Sequence, residues 1–336
     1  MTNDTWTLDR VLELSRAFMP ACVIQAAAEL DLFDALAPAG KSAADLARAI
    51  DGDARATRVL ADALTAMHLL RKSDAGEYSL AEGVLDVLTA GGSRCALAMV
   101  RHQANCLRGW AQLAQVVRGG RRAEKAPSVR GRAGDLESFI EAMDVVSRGA
   151  AGAVVGRTGP PEFTHLLDVG GGPGTWTIAF LRAGPPDSRA TLFDRPDVLP
   201  IAEKHFRKAG LADRVTLTGG NYNSDRPLPA GADLAWVSAI THQNSRHENR
   251  SLFAKVFAAL EPGGRVLVRD TVMDESRTSP AGGAMFAVNM LVNTPGGGTY
   301  TLSELAEDLT GAGFVEPELI CRDEGMSSVI QARKPG

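Results

Sequence analysis

Hydrophobic positions along this chain fall into two textures. Up to about residue 95 they recur three and four apart in short segments: VLELSRAFMPACVIQAAAELDLFDAL, KSAADLARAI and DARATRVLADALTAMHLL. Apolar residues at that period line one face of a helix. From Phe18 to Ala28 the segment is apolar around most of its circumference. A helix of that kind is deeply buried or lies in a subunit interface, and an interface is the preferred expectation. Ser42 followed by Asp45 predicts a helix N-cap with an acidic first turn. Two helices, a short turn and RKSDAGEYSL, with a two-stranded wing around Asp74 to Tyr78, make a winged-helix pattern. Beyond residue 95, ALAMVRHQANCLRGWAQLAQVV predicts one long helix. GGRRAEKAPSVRGRAG predicts a loop, and FIEAMDVVSRGAAGAVV a further helix.

Near Gly159-Pro160-Pro161 the texture changes. HLLDVGG, RATLFD, DRVTLTGG, ADLAWVSAI and GRVLVRDTV are short apolar runs that predict strands. Between them GTWTIAFLRA, DVLPIAEKHFRKAG and RHENRSLFAKVFAAL are amphipathic and predict helices. LSELAEDLTGAGF, EPELICR and SSVIQARK add a last helix and two strands. Strands alternating with helices imply right-handed βαβ units and a parallel sheet, an α/β doubly wound fold.

Composition narrows the possible partners. The chain has 336 residues, 45% hydrophobic and 23% charged, with a formal net charge of -4. An acidic chain offers no electrostatic footing for nucleic acid or an anionic membrane. Arg55 and Arg58 on the second winged-helix segment keep a DNA-binding reading open, against which the acidic whole and the absence of a basic cluster argue. The N-terminus MTNDTWTLDR has no basic region followed by an apolar run, so no secretory signal is expected. The apolar stretch from Phe18 to Leu30 is interrupted by Gln25 and Glu29 and is short for a bilayer span. Cys22, Cys95, Cys106 and Cys321 are scattered, which predicts reduced thiols in a cytoplasmic protein and no metal site.

The sharpest chemical signal is LLDVGGGPGTW, from Leu166 to Trp176. A buried strand ends at Asp168-Val169, glycines follow, and a helix begins near Pro173. Such a loop lets backbone approach a ligand closely, at the carboxyl end of the sheet where ligands of open α/β folds bind. The dinucleotide pattern GxGxxG fails in both registers, because Thr175 and Thr177 stand where its third glycine would be. DxGxGxG fits instead, with Asp168, Gly170, Gly172 and Gly174, and suits a zwitterionic amino-acid tail better than a pyrophosphate. The next strand ends in Asp194, whose carboxylate can accept two hydrogen bonds from a ribose diol. The string GKS at Gly40 is not a phosphate loop, since Ala35 occupies its required upstream glycine.

In their order, AAAELDLFDAL, ARAIDGDARATRVLADALTAMHLL, LLDVGGGPG, LFDRPDV, ALEPGGRVLVRD and NTPGGGTYT resemble the small-molecule O-methyltransferases, plant caffeate-type and bacterial polyketide-tailoring enzymes. The resemblance covers nearly the whole chain. It implies a Rossmann-like, seven-stranded class I methyltransferase domain at 159–336. It also implies an all-helical (but for its wing) winged-helix dimerisation domain at 1–95, with connecting helices at 96–158 that contribute to the substrate pocket. It further implies a homodimer, a small-molecule acceptor, S-adenosylmethionine (SAM) as cofactor and S-adenosylhomocysteine as its product. Gly170, Gly172 and Gly174 would then bracket the methionine part and Asp194 the ribose, with Asp168, Arg195, Tyr222 and Ser238 as further contacts. Asn221 replaces the family's usual aspartate beside the adenine.

The family's catalytic segment, Lys-x-Ile-Leu-His-Asp-Trp, reads here Ser238-Ala239-Ile240-Thr241-His242-Gln243-Asn244. The histidine is retained and its neighbours differ. Ser245 and Glu248 predict a capping box just after it. By resemblance His242 is the general base and Asp270, ending LVRD, its orienter. Thr299 stands where a second acidic orienter is usual. His102, Asn105, Met143, Asn289 and Met290 are candidate substrate contacts, with Trp110 beside them. The altered neighbours of His242 leave C- or N-methylation open, as well as a SAM-retaining enzyme of other chemistry and a SAM-sensing winged-helix regulator.

Overall fold

In the computed structural model, residues 5–37, 39–159, 162–224 and 226–336 are described. Pro160 and Pro161, where the sequence changes texture, and the first four residues of the N-terminus lie outside them. The chain divides into two compact units: residues 1–107 with 126–145, and residues 108–125 with 146–336.

The first unit is helical, with a small wing. Helices Ala43–Ala49 and Ala54–Ala66 are capped by Ser42 and Asp53, whose side chains accept the backbone N–H groups of Asp45 and Ala56. Strands Leu70–Lys72 and Tyr78–Leu80 pair antiparallel as the wing. Leu32, Phe33, Leu46, Leu64 and Tyr78 are buried and form the centre of its core. The apolar helix Phe18–Glu29 behaves differently at its two ends. Ala27 and Ala28 are fully buried, whereas Phe18 and Met19 are about half exposed at 52% and 51%. The preceding helix Leu8–Arg16 buries none of its residues. The uncovered apolar surface therefore begins earlier than the sequence suggested and includes Trp6, Leu8 and Leu14. Counted from Leu8 to Glu29, the stretch spans 22 residues and is long and apolar enough to cross a membrane by length and composition alone. That corrects the shorter stretch counted from Phe18.

Two segments expected as single helices are broken. ALAMVRHQANCLRGWAQLAQVV forms Leu97–Trp110 and Leu113–Gly119. Between them the Gln112 amide bonds the carbonyls of Arg108 and Glu124 and the N–H of Glu124, so side-chain bonds replace the helical ladder. FIEAMDVVSRGAAGAVV likewise divides between Gly131–Ser147 and Ala151–Arg157, around Arg148-Gly149. The first of these two helices also takes in the last residues of the expected basic loop.

The second unit is built on a seven-stranded sheet: β1 (His165–Val169), β2 (Arg189–Asp194), β3 (Val215–Gly219), β4 (Ala232–Ser238), β5 (Leu260–Asp270), β6 (Val315–Cys321) and β7 (Ser328–Arg333). Its order is β3-β2-β1-β4-β5-β7-β6, with β7 antiparallel to both of its neighbours and the remaining pairs parallel. Helices cover both faces. Phe253, Val256 and Leu309 pack on one face, and Val155, Trp176 and Phe180 on the other. The chain leaves β1 toward β2 and β3, then returns to β4 on β1's other side. The crevice of this switch point opens at the ends of β1 and β4, where open α/β sheets take ligands. Residues 281–293 carry no predicted element in the sequence. That segment is a helix, Ala281–Asn293, and a short parallel pair joins Val272–Met273 to Tyr300–Thr301.

Candidate active site

Two clusters form at the carboxyl edge of this sheet. The first is the glycine loop after β1. Gly170, Gly172 and Gly174 have φ of 67°, 54° and 83°, the left-handed region that favours glycine. A Cβ at Gly170 would stand 2.5 Å from the end of the Ile240 side chain, and one at Gly174 2.4 Å from the Phe206 ring, so a side chain at either would have to displace its neighbour. A Cβ at Gly172 would meet nothing within 4 Å. The loop thus presents bare backbone to open space at the start of helix Thr175–Ala183.

Asp194 holds this loop from the end of β2. One carboxylate oxygen accepts the N–H of Gly172 at 2.8 Å and the other that of Arg195 at 2.6 Å. A carboxylate has about four acceptor sites, so both oxygens keep capacity for a diol. Beside it, Arg195, Pro196, Gly220, Asn221 and Arg226 line an open cleft of about 530 Å³. Arg195 is ion-paired with Asp197. The Asn221 side-chain oxygen accepts the N–H of Asn223 at 2.9 Å, which leaves one lone pair for a ligand. Lys255 secures the turn by donating to the carbonyls of Tyr222 and Ser224 at 2.7 and 2.5 Å. Burial pushes the Tyr222 phenol up to about 12. The open backbone at Gly172, the spare acceptors of Asp194 and the cleft beside them fit a nucleoside carrying an amino-acid tail.

Asp168 lies under the loop, 1% exposed, and accepts the Thr177 hydroxyl at 2.5 Å. Burial raises its carboxyl pKa to about 7, against the opposing pull of that hydrogen bond. In the unfolded chain the group ionises near pH 3.9. As pH rises the unfolded state therefore releases its proton first, and stability from this group falls between about pH 4 and pH 7, then levels off. Urea unfolding of the unliganded protein from pH 5 to 8 checks this. Wild type should lose stability relative to Asp168→Asn as pH rises, and parallel profiles would refute it.

The second cluster surrounds His242, in a 3-10 turn (Thr241–Gln243) just beyond β4. Ala239, with φ 57°, sits in the left-handed region, costly for a residue with a Cβ, and turns the chain out of the strand. His242 is 6% exposed and Asp270, at the end of neighbouring β5, 2%. Nδ1 of the imidazole lies 2.8 and 3.0 Å from the two Asp270 oxygens. The same carboxylate accepts the Thr241 hydroxyl at 2.6 Å and the N–H groups of His242 and Thr271 at 3.2 and 2.8 Å. Burial alone would raise the Asp270 pKa. The imidazole and these donors outweigh it and hold the carboxyl below its ordinary value. An ionised carboxylate accepts only, so Nδ1 carries the proton and Nε2 is left with a lone pair. Phe286, on helix Ala281–Asn293, packs edge-to-face on the ring at 4.8 Å.

The residues that depart from the family's segment build the frame of this turn. The Asn244 amide donates to Asn249, which donates to the Thr241 carbonyl, at 3.1 and 3.0 Å. Tyr300 donates to the Asn244 carbonyl, and Gly298 to that of His242. The Gln243 amide reaches back to the carbonyl of Ala239. The predicted capping box of Ser245 and Glu248 is present, and His247 is exposed. Thr299 is buried, and its carbonyl accepts from Arg277. Thr241 supplies a second hold on Asp270, and its spacing in the sequence gave no sign of that.

The remaining candidates are distributed between the units. Ser238, at the end of β4, accepts a hydrogen bond from Arg269 at 3.0 Å. Asn289 accepts Trp110 Nε1 at 2.8 Å and the Asn293 amide at 3.0 Å, and Met290 is buried. These belong to the second unit. His102, Asn105 and Met143 belong to the first, where the His102 ring packs at a tilt against that of Phe139, with centroids 5.1 Å apart.

Comparison with known proteins agrees with this fold. Residues 110–315 match the model of the O-methyltransferase domain, and residues 12–94 that of the O-methyltransferase dimerisation domain. The chain is 32% identical to the tetracenomycin polyketide synthesis 8-O-methyl transferase TcmO of Streptomyces glaucescens, over 97% of this chain and 96% of that one. It is 28% identical to the 3-hydroxy-5-methyl-1-naphthoate 3-O-methyltransferase of Streptomyces sahachiroi, over 90% and 88%. Among solved structures it resembles human N-acetylserotonin methyltransferase in complex with SAM, with a TM-score of 0.81, 26% identity and full coverage of both chains. The chain belongs to the O-methyltransferase family and is a SAM-dependent O-methyltransferase.

Proposed function

We propose that this enzyme methylates a hydroxyl on an aromatic, polyketide-like small molecule, with His242 as general base and Asp270 as its orienter. The observation that carries this is the contact of Nδ1 with the Asp270 carboxylate at 2.8 and 3.0 Å, which leaves Nε2 as the acceptor. Bound at the glycine loop, SAM supplies a methyl on a sulfonium; an acceptor oxygen bonds that carbon as the carbon–sulfur bond breaks, and sulfur keeps the electron pair as a neutral thioether. His242 Nε2 takes the hydroxyl proton, and Asp270 stabilises the imidazolium that results. Gly170, Gly172 and Gly174 admit the amino-acid tail, Asp168 supports that loop, and Asp194 accepts the ribose hydroxyls. Arg195, Asn221, Tyr222 and Ser238 complete the cofactor contacts. His102, Asn105, Met143, Asn289 and Met290 contact the acceptor, and residues 96–158 carry the first three of them. The relatives named for a polyketide and a naphthoate support an aromatic acceptor. The test is incubation with isotopically labelled methyl donor and a panel of small phenols and hydroxyquinones, read by mass spectrometry. Transfer of label to an oxygen is the expected result. Label on carbon or nitrogen only would overturn it.

The protein acts in the cytoplasm as a homodimer formed through the N-terminal helices. Exposed large apolar side chains such as Trp6, Leu8, Leu14, Phe18 and Met19, close together in sequence on the first two helices and their lead-in, call for a cover in water, and twofold self-association supplies one. Light scattering at micromolar concentration should give twice the chain mass. A monomer would refute the dimer.

A further inference from the structure

One buried charge has no part in the proton transfer. Arg269 immediately precedes Asp270 in β5, follows the apolar run Val266-Leu267-Val268, and is 6% exposed. Burial pulls its guanidinium down to about 10, so it remains a cation at neutral pH. A buried cation is costly unless its donors are met. One is met: Nη1 donates to the Ser238 hydroxyl at 3.0 Å. The guanidinium also lies over the Trp176 ring at 4.3 Å. Its Nε is buried and has no hydrogen-bond partner among the described residues.

The carboxylates closest in charge do not answer that donor. Asp270 bonds His242, Thr241 and Thr271, and Asp323 accepts the N–H groups of Gly325 and Ser327. The position of the guanidinium indicates what would. Ser238 lies opposite Arg269 across β4 and β5, and one step back Val237 pairs with Val169, the residue before Gly170. Trp176 follows Gly174 by two residues, in the first turn of the helix that the glycine loop starts. Arg269 therefore stands beside the beginning of that helix, at the ligand-binding edge of the sheet.

We propose that Arg269, together with Ser238, receives the α-carboxylate of SAM, an inference that rests on the assignment of the glycine loop to that cofactor. The charge and planar donor edge of a guanidinium suit a carboxylate. Ser238 accepts from Arg269 through its oxygen, which frees its own hydroxyl proton for the same carboxylate. Ser238 also stands where the family's segment has lysine. A cation missing from β4 is supplied at that place from β5.

The test compares SAM with decarboxylated SAM, which lacks only the carboxylate, by calorimetry on the intact enzyme. Wild type should bind the decarboxylated form about 10- to 100-fold more weakly, the worth of a charge-assisted hydrogen bond. Arg269→Gln should lose at least about tenfold in SAM affinity and bind the decarboxylated form as wild type does, so that discrimination collapses. Equal binding of the two ligands by wild type, or undiminished discrimination by Arg269→Gln, would overturn the proposal. Failure of wild type to bind SAM at all would instead overturn the assignment of the glycine loop. Should Arg269→Gln fail to fold, Arg269→Lys carries the test. It keeps the charge without the planar fork, so its discrimination must fall, and an unchanged value counts against Arg269.

Discussion

Replacing His242 with alanine is expected to lower turnover by about 10²–10⁴-fold, the usual contribution of a positioned general base, while leaving SAM affinity nearly unchanged. The two effects separate because the imidazole bonds Asp270 and none of the proposed cofactor contacts: Asp194 ends β2, Asn221 and Tyr222 follow β3, and Ser238, on β4, bonds Arg269. The variant should still fold. Without the imidazole, the buried Asp270 keeps the Thr241 hydroxyl and the N–H groups of residues 242 and 271 as donors. Asp270→Asn should lower turnover less, since the imidazole remains but is less firmly held in one tautomer. Single-turnover rates with a known acceptor, beside calorimetry with S-adenosylhomocysteine, measure both. A fall of less than about threefold in His242→Ala would exclude base catalysis by this residue. The enzyme would then act by alignment of an acceptor that is already ionised.

Asp194→Ala should produce the largest loss of cofactor binding, about 10²-fold or more for S-adenosylhomocysteine, if its carboxylate accepts two ribose hydroxyls. Part of that loss would come through the loop. Asp194 also holds the N–H of Gly172, the glycine whose Cβ direction is open, so its removal loosens the backbone that the amino-acid tail approaches. Asp194→Asn should fall between, because an amide keeps one acceptor oxygen. Affinity in Asp194→Ala equal to that of wild type would remove the ribose role, with the family assignment untouched.

The glycine loop was legible in the sequence because its requirements are local. Left-handed φ at Gly170, Gly172 and Gly174 and the strand-loop-helix context can be read from neighbouring residues. The same holds for the capping box of Ser245 and Glu248, which depends on residues three apart. The helix breaks were not legible. At Gln112 the hydrophobic period runs on without interruption, and what ends the helix is a side chain bonding Glu124, twelve residues away. Helix Ala281–Asn293 lacked a clear apolar stripe, and the contact of its Phe286 with His242 spans 44 positions.

By itself, then, the order of residues determined the class of fold, the glycine loop and the candidate histidine and aspartate. Alternation of apolar and polar positions, turn chemistry and cap spacing all act over a few residues, and they constrain the chain before it folds. Only the tertiary structure decided what those residues are held by. It brought the end of β4 beside the end of β5, so that Asp270 meets both Thr241 and His242. It turned Gln243 and Asn244, which looked like losses from the family's segment, into the frame of the turn that carries His242. It also set Arg269 in the apolar face of the sheet, against Trp176 and Ser238. An arginine inside an apolar strand run was the one local sign of that. Which hydroxyl and which ring it would meet depended on strand register and helix packing, contacts between residues far apart in sequence that no local period encodes.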